Sequence, residues 1–371
     1  MNNFYKTSDT FKQGSQTLPQ EYYINNRILK LEMEKIYAKE WLCCGRCDEL
    51  VQSGDYKVLN IGDDSIIILR DENKILQAFY NLCRHRGTQI CINEKGNFSK
   101  TIQCPYHGWT YNLQGGLHGA PNMDGVKGFN KNKYPLHSIN IAEWEGFMFI
   151  NLSENPKDFF LEYKSIINHF LEWNMQNLKT TDKKIYYVNC NWKLIIQNYS
   201  ECYHCPIIHP KLADITPYIS GRNDLVNGKF LGGYMEIKSK SITSDGNLCA
   251  PIIETLSNKN LSRVYYYSLF PNMLLSLHPD YIMFHIIYPM GTEECKIDCT
   301  WLFSKDAAHD TNYNPKNAID FWDKTNLEDW GICEQSQLGI KSRKYLPGPY
   351  SGQESLLVAY DEYYLNMLNN N

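Results

Sequence analysis

Two short cysteine–histidine pairs constrain this chain more than any other feature. Cys83-Arg84-His85 and Cys104-Pro105-Tyr106-His107 are separated by eighteen residues, and each pair offers one soft thiolate and one imidazole. A strand-turn hairpin brings two such loops together, so the pairs predict a small antiparallel β module with a metal group at its tip. A two-iron cluster suits these donors, with thiolates on one iron and imidazoles on the other. A tetrahedral zinc site also takes two cysteines and two histidines. Against zinc, the spacing within the pairs is not that of a zinc finger, and both loops carry glycine: Arg86-Gly87 after the first and Gly108-Trp109 after the second.

The flanking sequence supplies the strands. Tyr56–Ile61, Ser65–Arg70 and Ile75–Phe79 are β-forming runs separated by Gly-Asp-Asp and Asp-Glu-Asn turns, and Gly146–Asn151 reads as the module's last strand. Cys44 and Cys47 have the spacing of a redox or zinc pair, but no second pair follows at ribbon spacing, so simple burial is the expectation. Cys91 matches no ligand position and reads as a packed thiol. Thirteen cysteines, an odd number in a chain of 371 residues, favour thiols and metal ligands over a disulfide framework in a reducing compartment. The N-terminus lacks the apolar core of a signal peptide and no apolar run approaches the roughly 18 residues of a membrane span, which sets a cytoplasmic expectation with no membrane partner. A net charge of -4 with mixed signs gives no basic stripe, and nucleic acid is not expected either.

A second metal centre is legible in Asn198–Pro210, which reads Asn-Tyr-Ser-Glu-Cys-Tyr-His-Cys-Pro-Ile-Ile-His-Pro. Asn191 is a suitable N-cap for a helix predicted to run to Cys205, on which Leu194, Gln197, Asn198, Glu201 and His204 share a face. Pro206 is expected to end that helix. Unbroken, at about 100° per residue, it would point His209 about 140° away from His204, so a bend has to bring the two imidazoles together. Two histidines leave a metal underbound, and O₂ activation at non-haem iron uses two histidines and one carboxylate with positions left open. A long helix predicted from Asn314-Pro315, an N-cap followed by a proline at N1, to about Gly339 offers the carboxylate. Ala318, Trp322, Thr325, Asp329, Ile332, Cys333 and Ser336 form its inward stripe, whereas Asp323 and Glu328 lie off the stripe and read as solvated. An unpaired inward carboxylate costs several kcal/mol. A metal or a hydrogen-bonded structural role would satisfy Asp329, and the pattern leaves both open.

The two motifs Cys83-Arg-His85-Arg-Gly87 and Cys104-Pro-Tyr-His107-Gly-Trp109 resemble the signature of Rieske iron–sulfur domains, in the wording of the Rieske non-haem iron oxygenases. Thr325–Gly339 resembles the corresponding helix of choline, glycine betaine and carnitine monooxygenases, in which the Asp before Trp is an iron ligand. The resemblance implies a 2Fe-2S cluster on Cys83, His85, Cys104 and His107, and a mononuclear Fe(II) on His204, His209 and Asp329, with O₂ as co-substrate. Asn198–His204 resembles the segment whose acidic residue links the mononuclear iron to the Rieske domain of a neighbouring subunit, which implies Glu201 as a bridge to His107 or His85. The implied fold is α+β: a β-rich Rieske domain over residues 41–155, a helix-grip catalytic domain (an antiparallel sheet around a long helix) over 156–371, and an arm, 1–40, packing on the catalytic domain. A homotrimer is implied as well. With no plant-type ferredoxin spacing and no Rossmann glycine motif, electrons are expected from a separate flavin/ferredoxin-type NAD(P)H reductase.

Aromatic strands lie between the ligand segments: Val264–Phe270, Leu274–Leu277, Tyr281–Tyr288 and Lys296–Phe303, in a chain with 27 tyrosines. Aromatic faces hold a quaternary ammonium by cation–π attraction worth about 0.5 to 2 kcal/mol per contact. Tyr203, Tyr267, Phe270 and Phe284 are nominated as members of such a cage. The expected function is hydroxylation of a small cationic quaternary ammonium compound of the betaine, choline or carnitine type, leading to N-demethylation, C–N cleavage or alcohol oxidation. An aromatic-ring dioxygenase or O-demethylase with the same metals, and a Rieske electron carrier without oxygenase activity, are the competing readings.

Overall fold

The computed structural model describes residues 3–369. The chain forms two compact units: one takes in the chain up to Ile36 and from Glu162 on, the other is Tyr37–Leu161.

The smaller unit is built from antiparallel sheets. Leu76–Tyr80, Asp64–Arg70, Asp55–Ile61 and Lys95–Asn97 form one, in that order, and Asn140–Trp144, Phe147–Asn151 and Leu42–Arg46 a second. The third, Thr101–Gln103, Thr110–Asn112 and Leu117–Gly119, carries one metal loop. Ile67, Leu69, Phe79, Ile102 and Tyr111 pack in one core with Cys83 and Cys104, so the thiols are fixed by hydrophobic burial before any metal is considered. Cys44 and Cys91 are buried free thiols and Cys47 is partly buried.

The larger unit centres on an eight-stranded antiparallel sheet in the order Tyr5–Lys6, Arg222–Asn227, Phe230–Glu236, Arg263–Leu269, Met273–Leu277, Ile282–Pro289, Cys295–Ser304, Leu178–Val188. Its principal helices are α1 (Trp192–Tyr199), the short α2 (Cys205–Ile208) and α3 (Pro210–Ile215), the long α4 (Pro315–Ile340) and α5 (Ser355–Asn369). Ala318, Trp322, Thr325 and Cys333 of α4 are buried, with Trp322 Nε1 donating to the Tyr281 hydroxyl at 2.7 Å and Cys333 Sγ lying 3.6 Å from Leu194 O of α1. Lys193 on α1 and Glu32 on the N-terminal arm form a buried ion pair at 2.6 Å, and the Tyr364 hydroxyl of α5 and Trp192 Nε1 also donate to Glu32. Arm, α1 and α5 thus converge on one desolvated carboxylate, which cannot be left unpaired without a large penalty.

Three local expectations need correction. Asn191 does cap α1, accepting from Lys193 N, but the helix ends at Tyr199 and not at Cys205. Glu201 and His204 therefore do not share a helical face with Leu194 and Gln197. Pro206 and Pro210 do not terminate a helix; each lies in the first turn of a new one, α2 and α3, where the missing N–H has no helical partner to lose. Asn314 precedes α4 but makes no side-chain cap.

Candidate metal centres and active-site cavity

The two cysteine–histidine loops of the smaller unit are built alike. Cys83 N donates to Thr88 O and Gly87 N to Cys83 O; Cys104 N donates to Trp109 O and Gly108 N to Cys104 O. Each loop turns back at a glycine of positive φ, +73° at Gly87 and +69° at Gly108, a conformation that a side chain disfavours. The turns present Cys83 and Cys104 inward and His85 and His107 outward, with the imidazole centroids 4.7 Å apart and His85 stacked on Trp109. A paired-thiolate, paired-imidazole donor set of this kind fits a 2Fe-2S cluster with its histidine iron at the surface. The sequence reading missed Tyr111, fully buried, whose hydroxyl lies 3.3 Å from Cys83 Sγ while accepting from Arg84 N at 3.0 Å.

In the larger unit, His204 enters from the start of α2, His209 from the junction of α2 and α3, and Asp329 from the middle of α4. One ligand atom from each lies within 4.8 Å of the others. Asp329 Oδ1 is 2.8 Å from His209 Nε2 and 3.3 Å from His204 Nε2. On the far edge of each imidazole stands a second carboxylate: His204 Nδ1 donates to Glu201 Oε1 at 2.5 Å, and His209 Nδ1 donates to Glu328 Oε2 at 2.7 Å. Glu201 is itself fixed, accepting from the backbone N–H of Tyr203 and His204.

Burial works to lower the His204 pKa, but bonds to Asp329 and Glu201 outweigh it and lift it to about 10; the same contest raises His209. Burial works to raise Asp329, and the two imidazoles hold it below the usual carboxylate range. Two imidazoles with one carboxylate fit a divalent iron with positions left open. Glu328 and Asp323, expected to be solvated, both have partners; Asp323 accepts from Lys184 Nζ at 2.6 Å and from the Tyr186 hydroxyl at 2.7 Å.

Cys202 and Cys205 are joined by a disulfide that closes the turn carrying His204. The other eleven cysteines are not in disulfides.

A cavity opens onto the His–His–Asp cluster, and its lining corrects most of the nominated cage. Only Tyr203 lines it, half exposed at 54%. On Arg263–Leu269 the cavity side carries Tyr266 and Ser268, and on Ile282–Pro289 it carries Met283 and His285. Successive strand residues face opposite ways, so Tyr267 and Phe284 fall behind the sheet. The Tyr267 hydroxyl donates to Asp224 and lies 3.0 Å from His169 Nε2, and Phe270 packs on Tyr360 and Tyr363. The aromatic lining is instead a series of Tyr199, Tyr266 and Trp322, with centroids 5.9 Å and 6.4 Å apart, joined by Tyr218 and Trp330. Tyr234 also lines the cavity, but the Arg263 guanidinium covers its ring at 3.7 Å. The lining includes the carboxylates Glu201 and Asp329, and among the described residues that line it there is no lysine or arginine.

Two family models match the chain: the Rieske [2Fe-2S] domain over residues 40–130 and the ring hydroxylating alpha subunit (catalytic domain) over residues 175–370. The chain is 32% identical to the glycine betaine monooxygenase oxygenase subunit of Pseudomonas aeruginosa, across 97% of this chain and 91% of that one. Among solved structures, the quaternary ammonium Rieske monooxygenase CntA in complex with L-carnitine superposes with a TM-score of 0.78 at 25% identity, covering 96% of each chain. Naphthalene 1,2-dioxygenase from Rhodococcus sp. bound to indole gives 0.79 at 19% identity, covering 95% and 94%. Both share the fold, so the fold by itself does not separate their chemistries. No described helix is long and apolar enough to cross a membrane.

Proposed function

Because the chain belongs to the Rieske oxygenases with a ring-hydroxylating alpha-subunit catalytic domain, we propose that it hydroxylates a small quaternary ammonium compound of the betaine, choline or carnitine type. The observation that carries this reading is the charge of the cavity: aromatic faces and two carboxylates, without a lysine or arginine in the lining. A trimethylammonium group finds ring quadrupoles there. An aryl carboxylate would find no cationic side chain to receive it. The carboxylate of a betaine or carnitine would rely on neutral groups of the lining such as Asn223, Ser268 and Gln353.

In this reading His204, His209 and Asp329 hold the mononuclear iron, and Cys83, His85, Cys104 and His107 hold the cluster. When bound, these groups supply one-electron transfer and O₂ activation. Glu201 fixes the His204 ring and carries the link to His107 or His85 of a neighbouring subunit, so the working assembly is a homotrimer. A quaternary ammonium Rieske monooxygenase of known structure, for which inter-subunit electron transfer is described, supports an assembly of more than one subunit. Electrons come from a separate reductase, in the cytoplasm. Tyr199, Tyr266 and Trp322 orient the ammonium head so that a carbon beside nitrogen faces the metal cluster. A hydroxylated N-methyl carbon breaks down to formaldehyde and the demethylated amine, while hydroxylation at a backbone carbon beside nitrogen cleaves the molecule or yields an aldehyde.

The test is O₂ uptake by the reconstituted enzyme with choline, glycine betaine, carnitine, proline betaine and simple aryl acids, with formaldehyde measured in parallel. Uptake coupled to at least one of the quaternary ammonium compounds is expected; uptake with the aryl acids alone would overturn the reading. Full activity of a dilute monomer would contradict the trimer.

A further inference from the structure

We infer that Glu328 is a positioning residue for the metal site: it holds the His209 imidazole in the orientation and tautomer that metal binding needs. The inference rests on the reading of His209 as a ligand. His209 is almost fully buried, its side chain 2% exposed, and its ring is spanned by consecutive residues of α4, with Glu328 at Nδ1 and Asp329 at Nε2. An Nδ1–H that donates to the Glu328 carboxylate leaves the lone pair on Nε2, the nitrogen that faces the other donors. The negative charge behind the ring also raises the basicity of that lone pair. Glu201 stands in the same relation to His204, so each imidazole of the cluster has its own carboxylate at Nδ1.

The two are not equivalent. Glu201 belongs to the same loop as its histidine and is anchored by backbone N–H groups. Glu328 reaches across from a different element, separated from His209 by 119 positions, and it also pairs with Lys324, one helical turn back at 3.7 Å. It therefore ties the α2–α3 junction to α4, the helix that brings the third donor. Removing Glu328 leaves Asp329 at Nε2 but takes away the contact that fixes the opposite edge of the His209 ring and its tautomer.

The experiment uses the full chain with its cluster intact, stripped of mononuclear iron and titrated with Fe(II) against a chromogenic chelator. Glu328→Ala should weaken Fe(II) binding about 10- to 100-fold, with Glu328→Gln between it and the wild type and the cluster absorbance unchanged. The EPR spectrum of the Fe(II)–nitric oxide adduct should change rhombicity in both variants, a signature that loosening of the helix alone would not give. Asp323→Asn, which removes the partner of Lys184 and Tyr186 from the same helix, should lower thermal stability without altering the Fe(II) constant or the adduct spectrum. Wild-type affinity and spectrum in both Glu328 variants would overturn the role of Glu328 alone. Failure of the wild-type chain to bind Fe(II), or undiminished binding in His209→Ala, would overturn the ligand reading beneath it.

Discussion

Replacing Tyr111 by Phe should lower the reduction potential of the cluster, and the structure gives both the sign and the size. The Tyr111 oxygen already accepts a hydrogen bond from Arg84 N, so its own proton is free to point elsewhere, and Cys83 Sγ at 3.3 Å is where it points. A thiolate can only accept. Burial and the neighbouring Cys83 also push the Tyr111 pKa upward, which keeps the hydroxyl a donor. Reduction adds one negative charge to the cluster, and hydrogen bonds strengthen from about 0.5–1.5 to about 1.5–3 kcal/mol when a partner is charged. The reduced form is therefore favoured by roughly 1–2 kcal/mol more than the oxidised form. At 59 mV per tenfold change for one electron, Tyr111→Phe should lower the potential by about 40–90 mV. A dye-mediated redox titration followed by the EPR signal of the reduced cluster reads this directly. An unchanged or raised potential, with the cluster spectrum intact, would refute the assignment of Tyr111 as a donor to Cys83.

Two further outcomes follow from buried charge. His278 is fully buried, neither ring nitrogen has a hydrogen-bond partner among the described residues, the ring is stacked on Tyr281 at 4.1 Å, and burial holds its pKa at about 3. Because the folded pKa lies below the unfolded value near 6.5, His278 contributes full stability above pH 6.5 and loses it as pH falls towards 3; between pH 8 and pH 5 this is about 2 kcal/mol. In urea titrations at the two pH values, His278→Phe should therefore lose about 2 kcal/mol less than the wild type, and equal losses would contradict the account. Lys193→Met leaves the buried Glu32 carboxylate without its counter-charge and should cost about 3–5 kcal/mol, with Glu32→Gln/Lys193→Met recovering most of it; calorimetry on both decides, and no recovery in the double variant would show that the pair is not what Lys193 satisfies.

How much of this was legible in the sequence depended on which physical signal each residue leaves. Donor chemistry is local, and the spacing of Cys83, His85, Cys104 and His107 and the histidine-rich stretch ending at Pro210 were visible without a fold. Strand register was not. Val264-Tyr-Tyr-Tyr-Ser-Leu-Phe270 is apolar on both faces because both are covered, so the alternation that would separate Tyr266 from Tyr267 is missing, and a shift of one residue exchanges cavity for core. The end of α1 was hidden for another reason. No glycine or proline marks Ser200; instead Glu201 takes the N–H groups of Tyr203 and His204, a local side-chain bond that competes with helix continuation. Glu328 was misplaced because a helical wheel gives the direction of Cβ, not the reach of a long carboxylate. Tyr111 reads in sequence as one more core tyrosine, and only the folded loop brings its hydroxyl to Cys83.

The central claim is that the cavity reads positive charge through Tyr199, Tyr266 and Trp322. The most direct test compares the accepted quaternary ammonium substrate with its tert-butyl isostere, in which carbon replaces the charged nitrogen and shape is kept, by inhibition or turnover in the O₂-uptake assay. With two or three aromatic faces each contributing about 0.5 to 2 kcal/mol, the isostere should bind at least about fivefold more weakly, and Tyr266→Leu should shrink that ratio. Affinities within about twofold of each other in the wild-type enzyme would contradict the claim.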